Sequence, residues 1–356
     1  MPQLPVPWSP INAERVKAVL RRKHADLGGG SPTDPPCVRW FAGRADGRDG
    51  LFIDRFGSLI VVTDYARSGE SAAVGEAASL DLVGFLRGLA GDLPVITKIR
   101  SGGDGQEAFE CRQFPPAQAV SLPIVGNERG LRFEIGTDPA HDFGLFLDAA
   151  KARHYVRNLA KGKAVLNLFS YTAAFGVAAA VGGAESVTNV DPNRDYLAWG
   201  KRNALLNNVA IRVLPDTAQV FLRRHLRRLE REGKSPGPGT SSFRPFDLVI
   251  VDPPAFGVGR GQDRLLRLLW PELFAAFRVM QPRDLVILCN DKYFRARTSF
   301  EDFVRDGLGR DYTFRQLGTC LAAGEINSAT APQLDFKPGP EDPYFMEPIV
   351  LAGTRR

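Results

Sequence analysis

Two aspartates that follow short apolar runs are the residues of this sequence best suited to chemistry. Asp191 ends the run Ser186–Val190, and Asp252 ends the run Asp247–Val251. Ligands of open α/β sheets bind at the carboxyl ends of the strands, and an acidic residue at the tip of the second strand hydrogen-bonds ribose in dinucleotide-type folds. Asp191 is therefore a candidate ribose ligand. The alternative is that it only caps the helix that follows.

The loop that precedes Asp191 by about 20 residues lacks the glycines that a dinucleotide requires. A pyrophosphate needs close backbone approach at a G-x-G-x-x-G fingerprint and a helix N-terminus that faces it. The corresponding loop contains Tyr171, Ala173 and Ala174 instead. The sequence therefore predicts an adenosyl ligand without phosphates.

The run Asp252-Pro253-Pro254-Ala255-Phe256 predicts a sharp turn at the end of a buried strand. Proline cannot extend a central strand, so the chain is expected to leave the sheet at its carboxyl edge. Such a turn would place Asp252 and Phe256 at the mouth of a pocket, stiffened by the two prolines. A plain strand stop is the alternative, and so is Phe256 as a core residue beneath the turn.

The elements that would position these residues alternate between strands and helices. Val165–Phe169 suits a strand buried on both faces, Ser170–Thr172 is a polar break, and Ala173–Val181 is a helix of small and apolar residues that ends at Gly182-Gly183. Along the chain, five strand-and-helix alternations are followed by two closing strands. The predicted fold is therefore an α/β, open, doubly wound sheet of seven strands with helices on both faces.

Composition indicates a folded protein without a membrane span. The 356 residues are 44% hydrophobic and 24% charged, which suits a buried core and about two domains. No apolar run approaches about 18 residues and no signal pattern opens the chain, so a cytoplasmic location is predicted. The four cysteines and four histidines are scattered, so we expect neither a metal site nor disulfides. The net charge of +6 tolerates a polyanionic partner without establishing one.

Several motifs resemble those of the class I S-adenosylmethionine-dependent methyltransferases. The loop F-S-Y-T with an acid ending the next strand resembles motifs I and II, and D-P-P-A-F resembles motif IV. The runs GLFLDAAKAR, LAKGKAVLNLFSYTAAF, VTNVDPNRDYLAWGKRNALLN and FDLVIVDPPAF are similar to a family of bacterial 23S ribosomal RNA methyltransferases. That family includes a cytosine-C5 enzyme and the guanine-N7 domain of a bifunctional enzyme. The resemblance covers roughly residues 38–295.

The resemblance implies a Rossmann-like class I methyltransferase domain behind a small α+β domain. We expect a leader helix and linker over residues 1–36, a small α+β domain that is a candidate for RNA binding over 37–125, and the methyltransferase domain over 126–356. The RNA-binding PUA domain of the cytosine-C5 members is expected to be absent. Where the family has L-D-Q-R, this chain has Leu147-Asp148-Ala149-Ala150, which changes the side chains available to cofactor or base.

The resemblance also implies roles for single residues. Asp191 would accept hydrogen bonds from the ribose hydroxyls of S-adenosyl-L-methionine, and Asp216 would accept one from the adenine amino group. Asp252 would lie beside the reacting methyl group, and Phe256 would stack on a flipped base. The residues expected at the cofactor are Asp148, Asn167, Phe169, Ser170, Tyr171, Thr172, Asp191 and Asp216. The residues expected at the reaction are Asp252, Pro253, Pro254 and Phe256.

The end of the fifth strand bears on the target atom. A cytosine-C5 reaction requires a cysteine that adds to the ring, whereas guanine N7 has its own lone pair. The run Leu288-Cys289-Asn290-Asp291-Lys292 is closer to S-N-N-K of the guanine-N7 relative than to S-C-S. Guanine N7 of large-subunit ribosomal RNA is therefore favoured, with Cys289 as a buried strand-end residue.

The alternatives are a methyltransferase of protein or small molecules and a non-catalytic RNA-binding or assembly factor. Monomer and homodimer both remain open.

An arginine-rich helix is a second candidate for RNA contact. The run Phe221–Lys234 carries five arginines and one lysine against two glutamates, and it lies on a helix predicted over Thr217–Glu232. Arg227 precedes Glu230 by three residues, so opposite charges are neighbours, which favours a solvated face. Direct contact with RNA phosphates is the alternative.

Overall fold

The computed structural model forms two compact units. The residues that it describes are 10–27, 34–47, 50–64, 72–91, 93–101, 108–114, 121–137, 142–233, 246–254, 262–289, 297–317 and 349–355. Along these ranges the first unit extends to Asp148 and the second begins at Ala149. Each unit has its own hydrophobic core.

A five-stranded sheet with two helices and a hairpin makes up the described part of the first unit. Its elements are α1 (Pro10–Leu27), β1 (Cys37–Ala42), β2 (Leu51–Phe56), β3 (Leu59–Asp64), α2 (Ala72–Ala90), β4 (Val95–Ser101), β5 (Ala108–Phe114), β6 (Ile124–Glu128) and β7 (Leu131–Ile135). The strand order is β1-β2-β3-β4-β5, and β6 pairs with β7. β3 and β4 run parallel because α2 crosses between them, and the other pairs in these two sheets are antiparallel.

Two boundaries of the predicted domains differ from the structure. Val16 and Leu20 of α1 are buried in one cluster with Trp40 and Ile53 of the sheet, so α1 is part of the small domain's core and not a separate leader. The chain divides after Asp148 and not at residue 126, because residue 126 lies inside β6 and the hairpin belongs to the first unit.

A seven-stranded sheet is the centre of the second unit. Its elements are α3 (Ala150–Leu159), β8 (Ala164–Leu168), α4 (Ala174–Val181), β9 (Ser186–Asp191), α5 (Arg194–Leu206), β10 (Arg212–Pro215), α6 (Ala218–Gly233), β11 (Leu248–Val251), α7 (Gln262–Met280), β12 (Asp284–Cys289), α8 (Arg297–Leu308), β13 (Tyr312–Leu317) and β14 (Ile349–Arg355). The strand order is β10-β9-β8-β11-β12-β14-β13. β8 to β12 are mutually parallel, and β14 is antiparallel to both of its neighbours. The predicted α/β fold is confirmed.

Both faces of this sheet are buried, as the continuous apolar strands predict. Leu166 and Leu168 of β8 pack in one cluster with residues of α6, α7 and α8. Val165, from the same strand, packs in the opposite cluster with Val156 of α3 and Phe175 of α4. The alternation along each strand divides its side chains between these two layers. A rigid three-layer core therefore holds the ends of the strands in place.

Two buried or partly buried carboxylates at the amino edge of the sheet, Asp247 and Asp284, form hydrogen bonds and an ion pair with neighbouring strands. Lys163 Nζ lies 2.7 Å from Asp284 Oδ2, and the Ala164 N–H donates to Asp247 Oδ2 at 2.8 Å. Thr354 Oγ1 donates to the second carboxylate oxygen of Asp284 at 3.1 Å. These bonds tie the first residues of β8, β11, β12 and the end of β14 together. The amino edge is thus a structural clamp, and ligand chemistry is left to the carboxyl edge.

No helix within the described ranges is both long enough and apolar enough to span a bilayer.

Candidate functional site

Parallel strands bring most of the predicted site residues to one edge of the seven-stranded sheet. Leu168 of β8 is in register with Val190 of β9 and with Val251 of β11. The residues that follow them at the carboxyl edge are Phe169, Asp191 and Asp252. The strand order reverses direction at β8, because β9 lies on one side of it and β11 on the other. This edge is therefore the topological switch point where open α/β sheets bind ligands.

The loop between β8 and α4 has an unusual backbone. Phe169, Tyr171 and Ala173 all have positive φ angles, of 58°, 47° and 58°. Residues with a Cβ atom rarely adopt this region, at a cost of about 1–3 kcal/mol each, and they keep it only where the surroundings hold them. The Ser170 N–H donates to the Val190 carbonyl at 3.1 Å, and the Ala173 N–H donates to the Ser170 carbonyl at 2.7 Å. The loop is thus a tight, internally bonded turn.

Asp191 holds this turn with its carboxylate. Its Oδ2 accepts from the Tyr171 N–H at 2.9 Å, and its Oδ1 accepts from the Asn193 N–H at 2.9 Å. Burial raises the pKa of Asp191, and these two backbone hydrogen bonds oppose the rise. Each carboxylate oxygen has a second lone pair, so both can still accept from a ligand hydroxyl. A pair of acceptors on one carboxylate suits the two adjacent hydroxyls of a ribose.

The buried side chain of Asn189, on β9, links the strands that lead to this loop. Asn167 Nδ2 donates to Asn189 Oδ1 at 2.9 Å, and Asn189 Nδ2 donates to the Arg212 carbonyl at 3.3 Å, which links β8, β9 and β10. A Cβ atom on Gly176 would lie 2.0 Å from Asn189 Oδ1, so only glycine fits there. Sequence reasoning missed Asn189 and Gly176. No pattern singled out Asn189, because its strand contains other polar residues such as Thr188.

Helix α5 holds the loop from the other side. Asn203 Nδ2 donates to the Thr172 carbonyl at 3.0 Å, and both residues are fully buried. A Cβ atom on Gly200 would lie 2.8 Å from the Cβ atom of Ala173, so the helix approaches the loop at close range. The ring of Tyr171 packs edge to face on Tyr196 of α5, with centroids 4.5 Å apart. Sequence reasoning missed these α5 residues as well, although a glycine inside a helix, here Gly200, is a signal of close packing.

Asp216 lies where β10 gives way to α6, directly beside Asp191. Its N–H donates to the Asp191 carbonyl at 3.2 Å, which joins the two predicted cofactor residues through the backbone. Its carboxylate accepts from Arg224 Nη1 at 2.6 Å and from the Thr217 N–H at 3.1 Å. The predicted contact with adenine would therefore share this carboxylate with an arginine.

Comparison with known proteins relates part of the chain to a family. Residues 118–279 match the sequence model of a family described as S-adenosylmethionine-dependent methyltransferase. The chain is similar to this family over just under half of its length. The predicted cofactor, S-adenosyl-L-methionine, is the family's cofactor, so the predicted recognition is confirmed at this level.

The chain is similar to two named ribosomal RNA enzymes. It is 28% identical over 297 residues to ribosomal RNA large subunit methyltransferase K/L of Pseudoalteromonas translucida, over 80% of this chain and 36% of that protein. It is 30% identical over 224 residues to ribosomal RNA large subunit methyltransferase I of Yersinia pseudotuberculosis, over 63% of this chain and 52% of that protein. The chain thus spans about half or less of these relatives' lengths.

The crystal structure of SMU.776 complexed with SAH has the same fold as this chain. The two superpose with a TM-score of 0.69 at 19% identity, over 97% of this chain and 81% of that one. At this identity the likeness concerns the fold alone.

The residues at the carboxyl edge fit the polar groups of S-adenosylmethionine, the cofactor named in the description of the matching family. S-adenosylmethionine presents ribose hydroxyls, an adenine amino group and an ammonium group, all of which donate hydrogen bonds. Within the described residues, Asn167 Oδ1 and Ser170 Oγ are buried oxygens without a hydrogen-bond partner, which is costly unless a ligand supplies a donor. Together with Asp191 they form a set of acceptors at the end of β8. These acceptors on the protein therefore match the hydrogen-bond donors of S-adenosylmethionine.

The predicted residue Asp148 is the last residue before the chain passes from the first unit to the second. It sits half-buried in a one-turn 3-10 helix, Leu147–Ala149, just before α3. Ala149 is 3% exposed and packs in the α3–α4 core cluster with Val156. The change from the family's L-D-Q-R to two alanines therefore gives apolar, buried side chains at these positions. A cofactor contact for Asp148 remains a prediction.

Strand β11 ends at Val251, directly before Asp252 and the two prolines. Asp252 is half-buried, Pro253 is buried and Pro254 is exposed. The sharp turn over residues 252–256 remains a prediction, because its end lies outside the described residues. Phe256 lies outside the described residues, and its stacking role remains a prediction. Cys289, at the end of β12, is 1% exposed and packs in the α6–α8 core cluster.

In the described part of the chain, no group of three or more histidine, cysteine, aspartate or glutamate side chains is placed to hold a metal ion.

Proposed function

We propose that this protein methylates a base of large-subunit ribosomal RNA, at guanine N7, with S-adenosyl-L-methionine as methyl donor. The observation that carries the proposal is the carboxyl edge, where Asp191 holds the Phe169–Thr172 turn and the buried oxygens of Asn167 and Ser170 await donors. The printed names of both curated relatives support large-subunit ribosomal RNA as substrate. Such a substrate implies a cytoplasmic location.

The cofactor supplies an activated methyl group on a sulfonium, so the protein's task is to position two reactants. In this proposal, Asp191 accepts from the ribose hydroxyls and Asp216 accepts from the adenine amino group. Asn167, Phe169, Ser170, Tyr171 and Thr172 surround the methionine part. The turn is already held by Asp191, Asn203 and strand β9, so little ordering is left to occur on binding.

Asp252 is the charged group proposed to face the target base. Methylation of guanine N7 uses the nitrogen's own lone pair and leaves a positive charge on the base, and no proton must be removed. A half-buried carboxylate near that charge stabilises it more than water would, because the local dielectric is lower. Pro253 and Pro254 would keep Asp252 in place, and Phe256 would stack on the extruded base.

The burial of Cys289 favours guanine N7 over cytosine C5. Methylation at cytosine C5 requires a thiolate that adds to the ring, and such nucleophilic cysteines are partly exposed. Cys289 is 1% exposed and packs in the α6–α8 core cluster, and a buried structural thiol is inert.

The test is mass mapping of 23S ribosomal RNA from cells with and without the gene, followed by transfer of a tritiated methyl group to RNA from the deleted strain. The expected result is a 7-methylguanosine that disappears on deletion and is restored by the purified protein. A restored 5-methylcytidine would contradict the target atom. Transfer only to protein would contradict the substrate, and failure to bind the cofactor in calorimetry would indicate a non-catalytic factor.

A further inference from the structure

Helix α6 presents two chemically distinct faces. Ala218, Leu222 and His225 are buried against the core of the second unit, at 2%, 3% and 7% exposure. The opposite side carries exposed arginines, here called the arginine face. Its members are Arg223, Arg224, Arg227, Arg228 and Arg231. They fall on one side because residues three and four apart are neighbours on a helix.

The arginine face concentrates like charges. Arg223, Arg227 and Arg231 follow one another at intervals of four residues, and so do Arg224 and Arg228, an arrangement that destabilises a helix by repulsion. Glu230 offsets part of this charge. An anion that binds along the face would relieve the repulsion.

Two arginines of the face keep exposed guanidinium groups while they pair within the protein. Arg223 reaches Glu272 at 3.5 Å, with both side chains at least half exposed. Arg224 is 71% exposed and reaches Asp216, whose side chain is 17% exposed. An exposed pair such as Arg223–Glu272 contributes little, since water screens it. The exposed guanidinium groups of Arg223 and Arg224 can therefore also contact a partner outside the protein.

The arginine face begins beside the proposed cofactor site. Helix α6 starts two residues after Asp216, and Arg224 contacts the Asp216 carboxylate directly. At a rise of about 1.5 Å per residue, the arginines from Arg223 to Arg231 span about 12 Å along the helix. A substrate strand whose target base enters at the carboxyl edge would pass this row.

We infer that the arginine face binds backbone phosphates of the RNA substrate. This inference rests on the proposed function. Guanidinium groups bind phosphate through paired hydrogen bonds, and phosphate contacts supply most of the sequence-independent affinity for nucleic acids. A protein partner would need an apolar centre to its interface, and no large apolar side chain of α6 is exposed in its described part. The chemistry therefore favours a polyanionic strand.

The experiment compares the double variant R223Q/R227Q with the matched control R278Q/R283Q. Both variants lose two positive charges from exposed arginines, but Arg278 lies in the last turn of α7 and Arg283 lies directly before β12, at the amino edge of the sheet. Glutamine preserves helix propensity. The readout is the slope of log affinity against log salt for in vitro transcribed 23S ribosomal RNA. The R223Q/R227Q slope is expected to be shallower by about 1.4, which is about 0.7 for each lost contact. The control slope should match wild type.

Two further measurements keep the outcomes distinct. Cofactor affinity in calorimetry should be unchanged in both variants, and R227Q/R231Q replaces the first variant if that one fails to fold. Equal slopes in all proteins, with methyl transfer to RNA intact in wild type, would overturn the arginine face alone. An equally shallow slope for the variant and the control would mean that only net charge matters, which would also overturn the inference about the arginine face. A wild-type protein that neither binds nor methylates RNA would overturn the proposed function itself.

Discussion

The Oδ2 atom of Asp191 accepts a hydrogen bond from the backbone N–H of Tyr171 at 2.9 Å. The carboxylate proposed to bind ribose therefore also fixes the loop proposed to surround the methionine part. Positive φ angles at Phe169, Tyr171 and Ala173 make this loop costly to form, and the Asp191 bond is one of the contacts that offset the cost. Binding and loop order are thus two functions of one side chain.

Replacing Asp191 by alanine is expected to weaken cofactor binding by about 2–3 kcal/mol, because charge-assisted hydrogen bonds to two hydroxyls are lost. Isothermal titration calorimetry measures the change. Asp191→Asn is the informative companion. Its amide keeps one acceptor oxygen, but its NH2 group replaces the other oxygen, which accepts from a backbone N–H in the wild type. It should bind nearly as weakly as the alanine variant. A dissociation constant equal to wild type in both variants would remove Asp191 from the site.

Much of the architecture follows from local sequence signals. Apolar runs such as Val249–Val251 predict buried strands, and small apolar residues between two strands predict a helix packed on the sheet. Asp191 and Asp252 were placed at the carboxyl edge because each directly follows such a run. The rule that parallel strands end at a common edge then brings them together without any knowledge of contacts.

The finer geometry of the site depends on interactions across the chain. No glycine marks the positive φ at Tyr171, because bonds from distant residues hold that conformation and local propensity does not. Asn189 looks like any strand residue until its contacts with Asn167 and Gly176 are seen. The ion pair between Asp216 and Arg224 was also beyond a pattern argument, because charges eight residues apart lie on different elements.

Replacing Gly176 by alanine is expected to destabilise the second unit by about 1–3 kcal/mol, because overpacking displaces neighbouring atoms. The new Cβ atom would lie 2.0 Å from Asn189 Oδ1 and break its bond to Asn167. Gly84→Ala is the control. Gly84 lies in helix α2, and an added Cβ atom would have no heavy atom within 4 Å other than its chain neighbours and the backbone of its own helix. That control should be stabilised by about 0.4–1 kcal/mol. Chemical denaturation measures the free energy of unfolding of both variants. Equal changes in the two would show that the Asn189 side chain moves aside without a loss of stability.

Replacing Tyr312 by phenylalanine should change how stability depends on alkaline pH. Burial raises the pKa of Tyr312 from its ordinary value of 10.0 to about 12, and its hydroxyl donates to the Pro282 carbonyl at 2.7 Å. Between these two values the folded protein keeps a proton that the unfolded chain releases, so this group's stabilisation is lost as pH rises, by about 1.4 kcal/mol per unit. Below pH 10 the variant should be about 1 kcal/mol less stable than wild type.

Urea denaturation from pH 8 to pH 11 measures this difference. The stability of wild type should fall more steeply than that of Tyr312→Phe above pH 10, so that the two curves converge. Parallel curves over the whole interval would mean that Tyr312 releases its proton as readily in the folded protein as in the unfolded chain.

Replacing Cys289 by serine tests the proposed target atom. If guanine N7 attacks the methyl group with its own lone pair, no covalent bond forms between enzyme and base. Turnover should then stay within about tenfold of wild type, which corresponds to a barrier change of about 1.4 kcal/mol. Cys289 is 1% exposed, so serine is also expected to lower stability by about 1–3 kcal/mol through its buried hydroxyl. Cys289→Ala, which adds no polar group, is the control that separates folding from chemistry.

A trapping experiment completes the test of Cys289. Cysteine addition to a cytosine ring would leave the enzyme joined to RNA that contains 5-fluorocytosine, because fluorine blocks the final elimination. With guanine N7 as target, wild type should form no complex that survives a denaturing gel, and both Cys289 variants should remain active on ribosomal RNA. Inactive but folded Cys289→Ser and Cys289→Ala, together with a trapped wild-type complex, would contradict guanine N7. They would identify Cys289 as the nucleophile of a cytosine-C5 reaction.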